Sequence, residues 1–440
     1  MNNKYKISAG LIFGLAASFV STHAQTPLSF KDCLNVGIEK NLSLQIVRNA
    51  ELMASKNVDY SIGYFLPTID ARGTLTYSIM DSRLQRFSGE VQEKNGARSN
   101  SLSSSVNLNW NIFDGFAMFA NRNRLKETLT LGQLNTRLNI ENLMGQLGAA
   151  YFNYYQQQKR LKTLTYILQL SKDRLRISEE KYKIGNLSKL DYQQDRVEFN
   201  ADSSRYLRQQ EAIENARLTL INAMALPADS SFTITDTIEV SYGLIFDELK
   251  QQTMASNTSL LIVNQNKVLS EYDLKIINSR FYPTFFVTGA YVFNKSESQT
   301  GLTLENKQNG WNYGAGVSFP ILNRFDARRQ RSVAKIAIES AALAQKNVEI
   351  DIVADLTSIF NTYQNNIKVL ELEKQNLQTA LNNFTIAQER YRLGSLSGIE
   401  MRDIQRMYLD AEDRLLNAQY QAKLAEISLK QISGRIQEYL

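Results

Sequence analysis

Histidine is nearly absent from this 440-residue chain, and its one copy, His23, lies in the opening apolar segment. A chain whose working part has no imidazole lacks the commonest general base and the commonest metal ligand, so catalysis would fall to carboxylates alone. Cysteine is equally scarce: Cys33 stands alone, which excludes an intramolecular disulfide, and it reads as a small buried hydrophobe near the start of a helix. No stretch reaches the roughly 20 continuous apolar residues of a membrane-spanning helix. Only five prolines occur (Pro27, Pro67, Pro227, Pro283, Pro320), and none falls within the long helical patterns. Between Phe116 and Tyr182 there are 67 residues without proline. As one helix they would extend about 100 Å at roughly 1.5 Å per residue, too long to fold into a globule.

The opening segment has the form of an export signal. Lys4 and Lys6 precede an apolar run from Ile7 to Val20, and Thr22-His23-Ala24 supplies small residues where cleavage occurs. Residues 1–24 are therefore expected to be a signal peptide. Removing them lowers the net charge from +6 to +4. The remaining basic residues alternate with acids along helical stretches such as Lys172 to Lys183. That pattern belongs to a solvated helix surface and argues against nucleic acid as a partner. No cofactor or metal site is expected.

A tandem repeat organises the rest of the chain. Lys181-Tyr-Lys-Ile-Gly-Asn-Leu-Ser-Lys-Leu-Asp191 matches Arg390-Tyr-Arg-Leu-Gly-Ser-Leu-Ser-Gly-Ile-Glu400 at an offset of 209. The same offset pairs Leu161, Leu168, Leu175 and Tyr182 with Leu370, Leu377, Phe384 and Tyr391, all spaced by sevens. Ile404, Tyr408, Ala411, Leu415, Ala418, Ala422, Ala425 and Leu429 follow alternating four and three spacing, a coiled-coil seam. Two long helical hairpins are expected, over 116–225 and 325–434. Upstream of them Leu66-Pro67-Thr68 corresponds to Tyr282-Pro283-Thr284. The first repeat is thus placed at 25–243, ending in a linker over 227–243, and the second at 244–440.

Each repeat also carries two strands, expected at about 68–80, 100–113, 284–294 and 311–322. Ile69, Ala71, Gly73, Leu75 and Tyr77 alternate with Asp70, Arg72, Thr74 and Thr76. Leu102 to Ile112 alternates in the same way. Trp311, Tyr313, Ala315, Val317, Phe319 and Ile321 form a third such face, while Phe285 to Asn294 is apolar on both faces. Roughly 11 residues with one apolar and one polar face is the pattern of a strand crossing an outer membrane. Tyr77, Trp110, Phe113, Tyr291, Phe293 and Trp311 are candidates for its aromatic girdles. Four strands cannot close a barrel, and an open edge in hydrocarbon leaves unpaired peptide groups, so several copies must share one barrel.

Helix, strand pair and long hairpin, duplicated behind a signal peptide, resemble the TolC family of outer-membrane efflux proteins. The stretch Leu28-Ser-Phe-Lys-Asp-Cys-Leu-Asn-Val-Gly-Ile-Glu-Lys-Asn41 is similar to that family's first helix, departing at Cys33 and Gly37, where alanine is commoner. Tyr182-x-x-Gly185-x-x-Ser188 and Tyr391-x-x-Gly394-x-x-Ser397 are similar to its hairpin tips. The resemblance implies an α+β membrane protein: a homotrimer with a 12-stranded β-barrel in the outer membrane of a Gram-negative bacterium and a coiled-coil tunnel through the periplasm. It implies an exit duct rather than an enzyme, serving tripartite efflux or type I secretion. Its partners would be a periplasmic adaptor (membrane fusion) protein, an inner-membrane pump of RND or ABC type, and outer-membrane lipid.

Carried over, adaptor docking falls on Ile184, Gly185, Asn186, Leu187 and Ser188 and on Leu393, Gly394, Ser395, Leu396 and Ser397. Glycine ends each helix and serine caps the next, which should leave Leu187 and Leu396 exposed. Lys374 to Gln388 contains no acid, so a periplasmic aperture there would rest on Asn382, Asn383, Thr385, Gln388, Arg390 and Arg392 instead of an acidic ring. Two other readings compete. A periplasmic adaptor or coiled-coil scaffold would show one hairpin between soluble β-domains. An exported enzyme would need paired acids such as Asp191 and Asp195, which at four-residue spacing read as a solvated helix face.

Overall fold

The computed structural model describes residues 26–300 and 303–440. The export signal expected over 1–24 lies outside the described residues. The elements run β1 (Thr26–Leu28), α1 (Phe30–Lys40), α2 (Leu42–Asp59), β2 (Thr68–Gln85), β3 (Val91–Asp114), α3 (Ala117–Lys183) and α4 (Lys189–Ala223), then β4 (Phe232–Ile234), α5 (Phe246–Ser256), α6 (Thr258–Ser279), β5 (Thr284–Ser298), β6 (Glu305–Ser318), α7 (Asp326–Arg392) and α8 (Gly398–Ile432). The two halves match in measure, since α3 and α7 each have 67 residues and α4 and α8 each have 35. Among the described residues no helix is long and apolar enough to cross a membrane.

The heptad seam of α8 faces α7. Ala418 and Ala422 bury Leu370, Ala425 and Leu429 pack against Leu356 and Phe360, and Tyr408 stacks on Phe384 at 4.9 Å between ring centroids. The alanines at 411, 418, 422 and 425 let the two backbones approach closely, and the large side chains of α7 fill the space they leave.

Helices α2, α3, α4, α6, α7 and α8 form four continuous columns. Helix α2 starts where α4 ends, and α6 starts where α8 ends. One asparagine splices each joint. Asn41 Oδ1 accepts from the Leu44 amide at 3.0 Å, capping α2, while its Nδ2 donates to the Ala223 carbonyl at 3.2 Å, closing α4. Asn257 does the same between Leu260 N at 3.1 Å and the Ile432 carbonyl at 2.8 Å. An amide side chain carries, on separate atoms, both an acceptor for a helix N-terminus and a donor for a C-terminus. Helix packing then places α3 between the α4–α2 column and the α8–α6 column, and α7 beyond the latter.

The antiparallel sheet has the same order, β2-β3-β5-β6. Its register aligns Leu75 with Leu102, Ala71 with Val106, and Ile69 with Leu108. It continues Val106 to Tyr291 and on to Trp311, so the apolar positions of all four strands share one face. The other face carries Asp70, Arg72, Ser105, Asn107, Thr288 and Asn312. Phe286, the feature that blurred the alternation of β5, lies on this polar side. Its ring covers Gly316, where a Cβ would come within 2.4 Å of it. The strands run further than expected at their outer ends, because the hydrogen-bonded ladder of β2 and β3 persists to Gln85 and Val91 through polar sequence. In contrast, β6 stops at Ser318 rather than 322. Pro320 has no amide to donate, so Phe319 and Ile321 leave the sheet as exposed residues.

Around the middle of the columns, β1 pairs in parallel with β4 out of the expected linker. Cys33 and Leu34 of α1 are fully buried there with Leu147, Tyr151 and Leu220, and burial pushes the Cys33 thiol up to about 12. Gly37 sits under Leu147, whose Cδ1 would lie 2.5 Å from an added Cβ.

Candidate functional site: hairpin tips and open edges

Both tips are built from the same bonds. Gly185 has φ 78° and Gly394 φ 74°, values that cost a side chain but not glycine. Gly185 N donates to the Tyr182 carbonyl and Asn186 N to that of Lys181. Gly394 and Ser395 repeat this toward Tyr391 and Arg390. This is the Schellman closure of a helix end. The next helix opens at once: Ser188 Oγ accepts from Asp191 N at 3.1 Å, and Ser397 with Glu400 forms a reciprocal capping box. Hydrogen bonds from Ser397 hold the Glu400 carboxyl below its ordinary pKa.

Leu187 and Leu396 are not the exposed residues of these turns; both are half-buried. Leu396 precedes the cap and packs in one cluster with Met401, four residues past it, a hydrophobic staple. What projects instead is Ile184 at 70% exposure and Leu393 at 77%, with Leu190 and Ile399 beside them at 68% and 56%. The four form two pairs at the repeat offset of 209. The capping box and the following apolar residue were readable signals for this inversion.

The six polar residues before the second tip do not share one face of α7. At about 100° per residue, Thr385, Gln388 and Arg392 fall together, and Gln388 donates to Tyr166 of α3 at 3.1 Å. Asn383 and Arg390 lie on another side. Asn382 accepts from Gln378, Arg390 donates to the Ser395 carbonyl, and Arg392 pairs with Glu389.

Above the tips lies a polar seam that heptad counting of apolar residues misses. Ile167, Ser171, Arg174 and Ser178 are all buried, at four, three and four spacing, and are met by two helices, since Ser178 donates to Asp195 of α4 and Arg174 to Gln405 of α8. The pairing of Asp191 and Asp195 as a solvated face does not hold. Asp191 serves the Ser188 cap, whereas Asp195 is buried, accepts from Ser178 Oγ, and pairs with Arg402 at 3.2 Å. Asp202, one heptad on, pairs with Arg205 at 3.1 Å, and burial raises its pKa against the hydrogen bond from Ser171 and the nearby arginines.

At the opposite end, strands meet helices through an aromatic cluster. Phe113, Phe116 and Phe285 adjoin, Phe116 meets Tyr282, and Phe65 meets Phe119. Trp110 Nε1 donates to the Phe65 carbonyl at 2.9 Å. Trp110 and Tyr282, rings with a polar edge at the foot of the sheet, suit the boundary between lipid and water.

The molecule is open on two sides. Among the described residues β2 and β6 are the unpaired edges of the sheet, and the columns continuing them, α4–α2 and α7, are the edges of the helical layer. Both carry exposed apolar residues at heptad spacing: Ile336, Leu343 and Ile350 on α7, Ile46 and Met53 on α2, Leu190 and Val197 on α4.

The model of the outer membrane efflux protein family matches residues 37–226 and 249–435, one match per half. The outer membrane protein TolC of Escherichia coli is 19% identical over 366 residues, 80% of this chain and 73% of that protein. The solvent efflux pump outer membrane protein SrpC of Pseudomonas putida is 24% identical over 303 residues, 66% of this chain and 62% of that protein. In fold, the chain is similar to the Campylobacter jejuni CmeC outer membrane channel, with a TM-score of 0.76 at 15% identity over 99% of this chain and 94% of that one. The chain therefore belongs to the outer membrane efflux protein family, a family of transport channels rather than of enzymes, and it is an exit duct for efflux in the Gram-negative outer membrane.

Proposed function

We propose that three copies, each arisen by tandem duplication, close edge to edge into one duct, with a 12-stranded barrel continued by 12 helical columns. The coincidence of the open edges carries this reading: β6 and α7 of one copy stand ready for β2 and the α4–α2 column of the next. About 10 residues of each edge strand would lie in hydrocarbon, leaving roughly 10 outward peptide groups unpaired at several kcal/mol each. That exceeds the roughly 5–15 kcal/mol by which a protein is stable, so a lone copy is not viable in a bilayer. Residues 1–24 direct export. The polar face of the sheet, with Asp70, Arg72, Asn107 and Asn312, lines the lumen. Mass measurement of the detergent-solubilised protein should give three copies per particle; a monomer would remove the barrel.

The tips are the docking surface for a periplasmic adaptor that couples the duct to an inner-membrane pump. Ile184, Leu393 and Ile399 support this, as apolar side chains held in water at capped, rigid turns at the end farthest from the sheet. The turn residues Gly185, Asn186, Ser188, Gly394, Ser395 and Ser397 set the shape, and Leu187 and Leu396 brace it from within. Ile184→Asp with Leu393→Asp should leave the oligomer in the membrane and abolish pump-dependent resistance or secretion. Normal transport by that double variant would move the docking surface elsewhere.

A further inference from the structure

The two repeats meet the foot of the sheet differently. In the first, Phe65 and Phe119 pack at 5.1 Å between ring centroids and Trp110 bonds to the Phe65 carbonyl, so hydrocarbon fills the corner between strand and helix. The repeat offsets of 209 and 216 put Phe319, Arg328 and Phe281 where Trp110, Phe119 and Phe65 stand. There the corner is a cleft of about 230 Å³. Arg280 and Arg328 line it beside Phe281, Phe319, Ile321 and Leu322, and among the described residues no acid does.

These arginines have charge to spare. Arg328 lies over the Phe325 ring at 5.7 Å and forms no ion pair among the described residues. Asp326, the acid beside the cleft, holds Arg329 at 2.7 Å and Gln330 at 2.6 Å and stands 3.9 Å from Arg280. Arg331, over the Phe281 ring at 5.6 Å, adds a third cation. Phe319 follows Val317 on the apolar side of β6, so the cleft opens where that face gives way to water. Cations at that level, beside apolar side chains, match a lipid headgroup of negative charge. The first repeat shows that the corner stays reachable in a closed ring. It has neighbours on both sides within one chain, yet Trp110 and Phe119 keep 39% and 50% exposure.

We propose that this cleft binds an anionic phospholipid of the periplasmic leaflet, its phosphate between Arg280 and Arg328 and its acyl chains along Phe319 and Val317. The proposal rests on the barrel reading, which sets the sheet in the bilayer, and does not depend on how the tips dock. With one such cleft in each copy, in the second repeat alone, bound lipids space evenly about the duct and hold the foot of the barrel at a fixed depth.

The test uses the full chain in detergent, titrated with phosphatidylglycerol and followed by native mass spectrometry, which counts chains and bound lipids in one particle. Saturable binding of one lipid per chain is expected, roughly tenfold or more tighter than phosphatidylcholine. Arg280→Gln with Arg328→Gln should weaken phosphatidylglycerol roughly 30-fold, in keeping with two cations at a membrane surface, and leave phosphatidylcholine unchanged. Arg328→Phe gives the second corner the ring that closes the first, so it should fill the cleft and weaken binding without loss of packing. Arg83→Gln, at the far end of the sheet, should change nothing. Equal binding of the two lipids, unchanged binding in the double variant or in Arg328→Phe, an equal fall in Arg83→Gln, or displacement by inorganic phosphate at the same concentration would each overturn the proposal. Particles of one chain would remove the barrel first and the site with it, so the two failures read differently in the same spectrum.

Discussion

Replacing Asn257 by alanine removes both bonds of the α8–α6 splice, and the structure gives the size of the effect. The cap on Leu260 N contributes about 1 kcal/mol, and the Ile432 carbonyl, left without its donor, costs roughly 1–3 kcal/mol. Together these amount to about 3 kcal/mol of local stability, on the order of 100-fold faster opening. Hydrogen exchange of the full chain, read in the first turn of α6 and the last turn of α8, should show that acceleration there and not at the tips. Asn257→Asp separates the two roles. It keeps the acceptor for Leu260 N but removes the donor and sets a negative charge against the carbonyl end of α8, so α6 should stay protected while α8 frays. Wild-type exchange in Asn257→Asp would mean that the bond to Ile432 does not join the helices, and the continuous column would need another cause. Asn41→Ala should give the same pattern at the α4–α2 joint, weaker because Asn41 is less buried.

Glu426 is fully buried and accepts from Ser241, Lys423 and Tyr439. Burial alone would raise its pKa, yet the Lys423 charge and these hydrogen bonds outweigh burial and hold it below the ordinary 4.5. Its contribution is therefore complete above pH 4.5 and lost as the pH falls through the lower folded value. Glu426→Gln should cost about 3–5 kcal/mol at pH 7, and its gap from wild type in unfolding temperature should narrow toward pH 3; a constant gap contradicts the pairing. Gly115 and Gly185 both have positive φ, but an added Cβ at Gly115 lies 2.3 Å from the Ser279 carbonyl, whereas at Gly185 it meets nothing within 4 Å. Gly115→Ala should cost about 2–5 kcal/mol, strain plus overlap, and Gly185→Ala only about 1–2. The two variants' unfolding temperatures in detergent give the comparison, and equal losses would refute the role of the Ser279 contact.

Much of this molecule is written within a few residues of where it is expressed. The hairpin turns are legible because a Schellman closure and a serine cap use groups no more than five positions apart, as Asn186 to Lys181 and Asp191 to Ser188 show. Strand faces follow from alternation, and the α7–α8 seam from sevens, since backbone geometry alone sets those periods. The repeat itself is a property of the sequence. Other features depend on partners that no local pattern names. The Asn257 amide finds a carbonyl 175 residues away, and Arg174 meets Gln405 across 231. Leu396 turned inward because Met401 and Phe384 surround a space that one helix alone does not enclose. The order of the columns, and with it the identity of the two open edges, was decided only when the hairpins packed side by side, because adjacency is a matter of which surfaces fit rather than of which residues are neighbours in the chain.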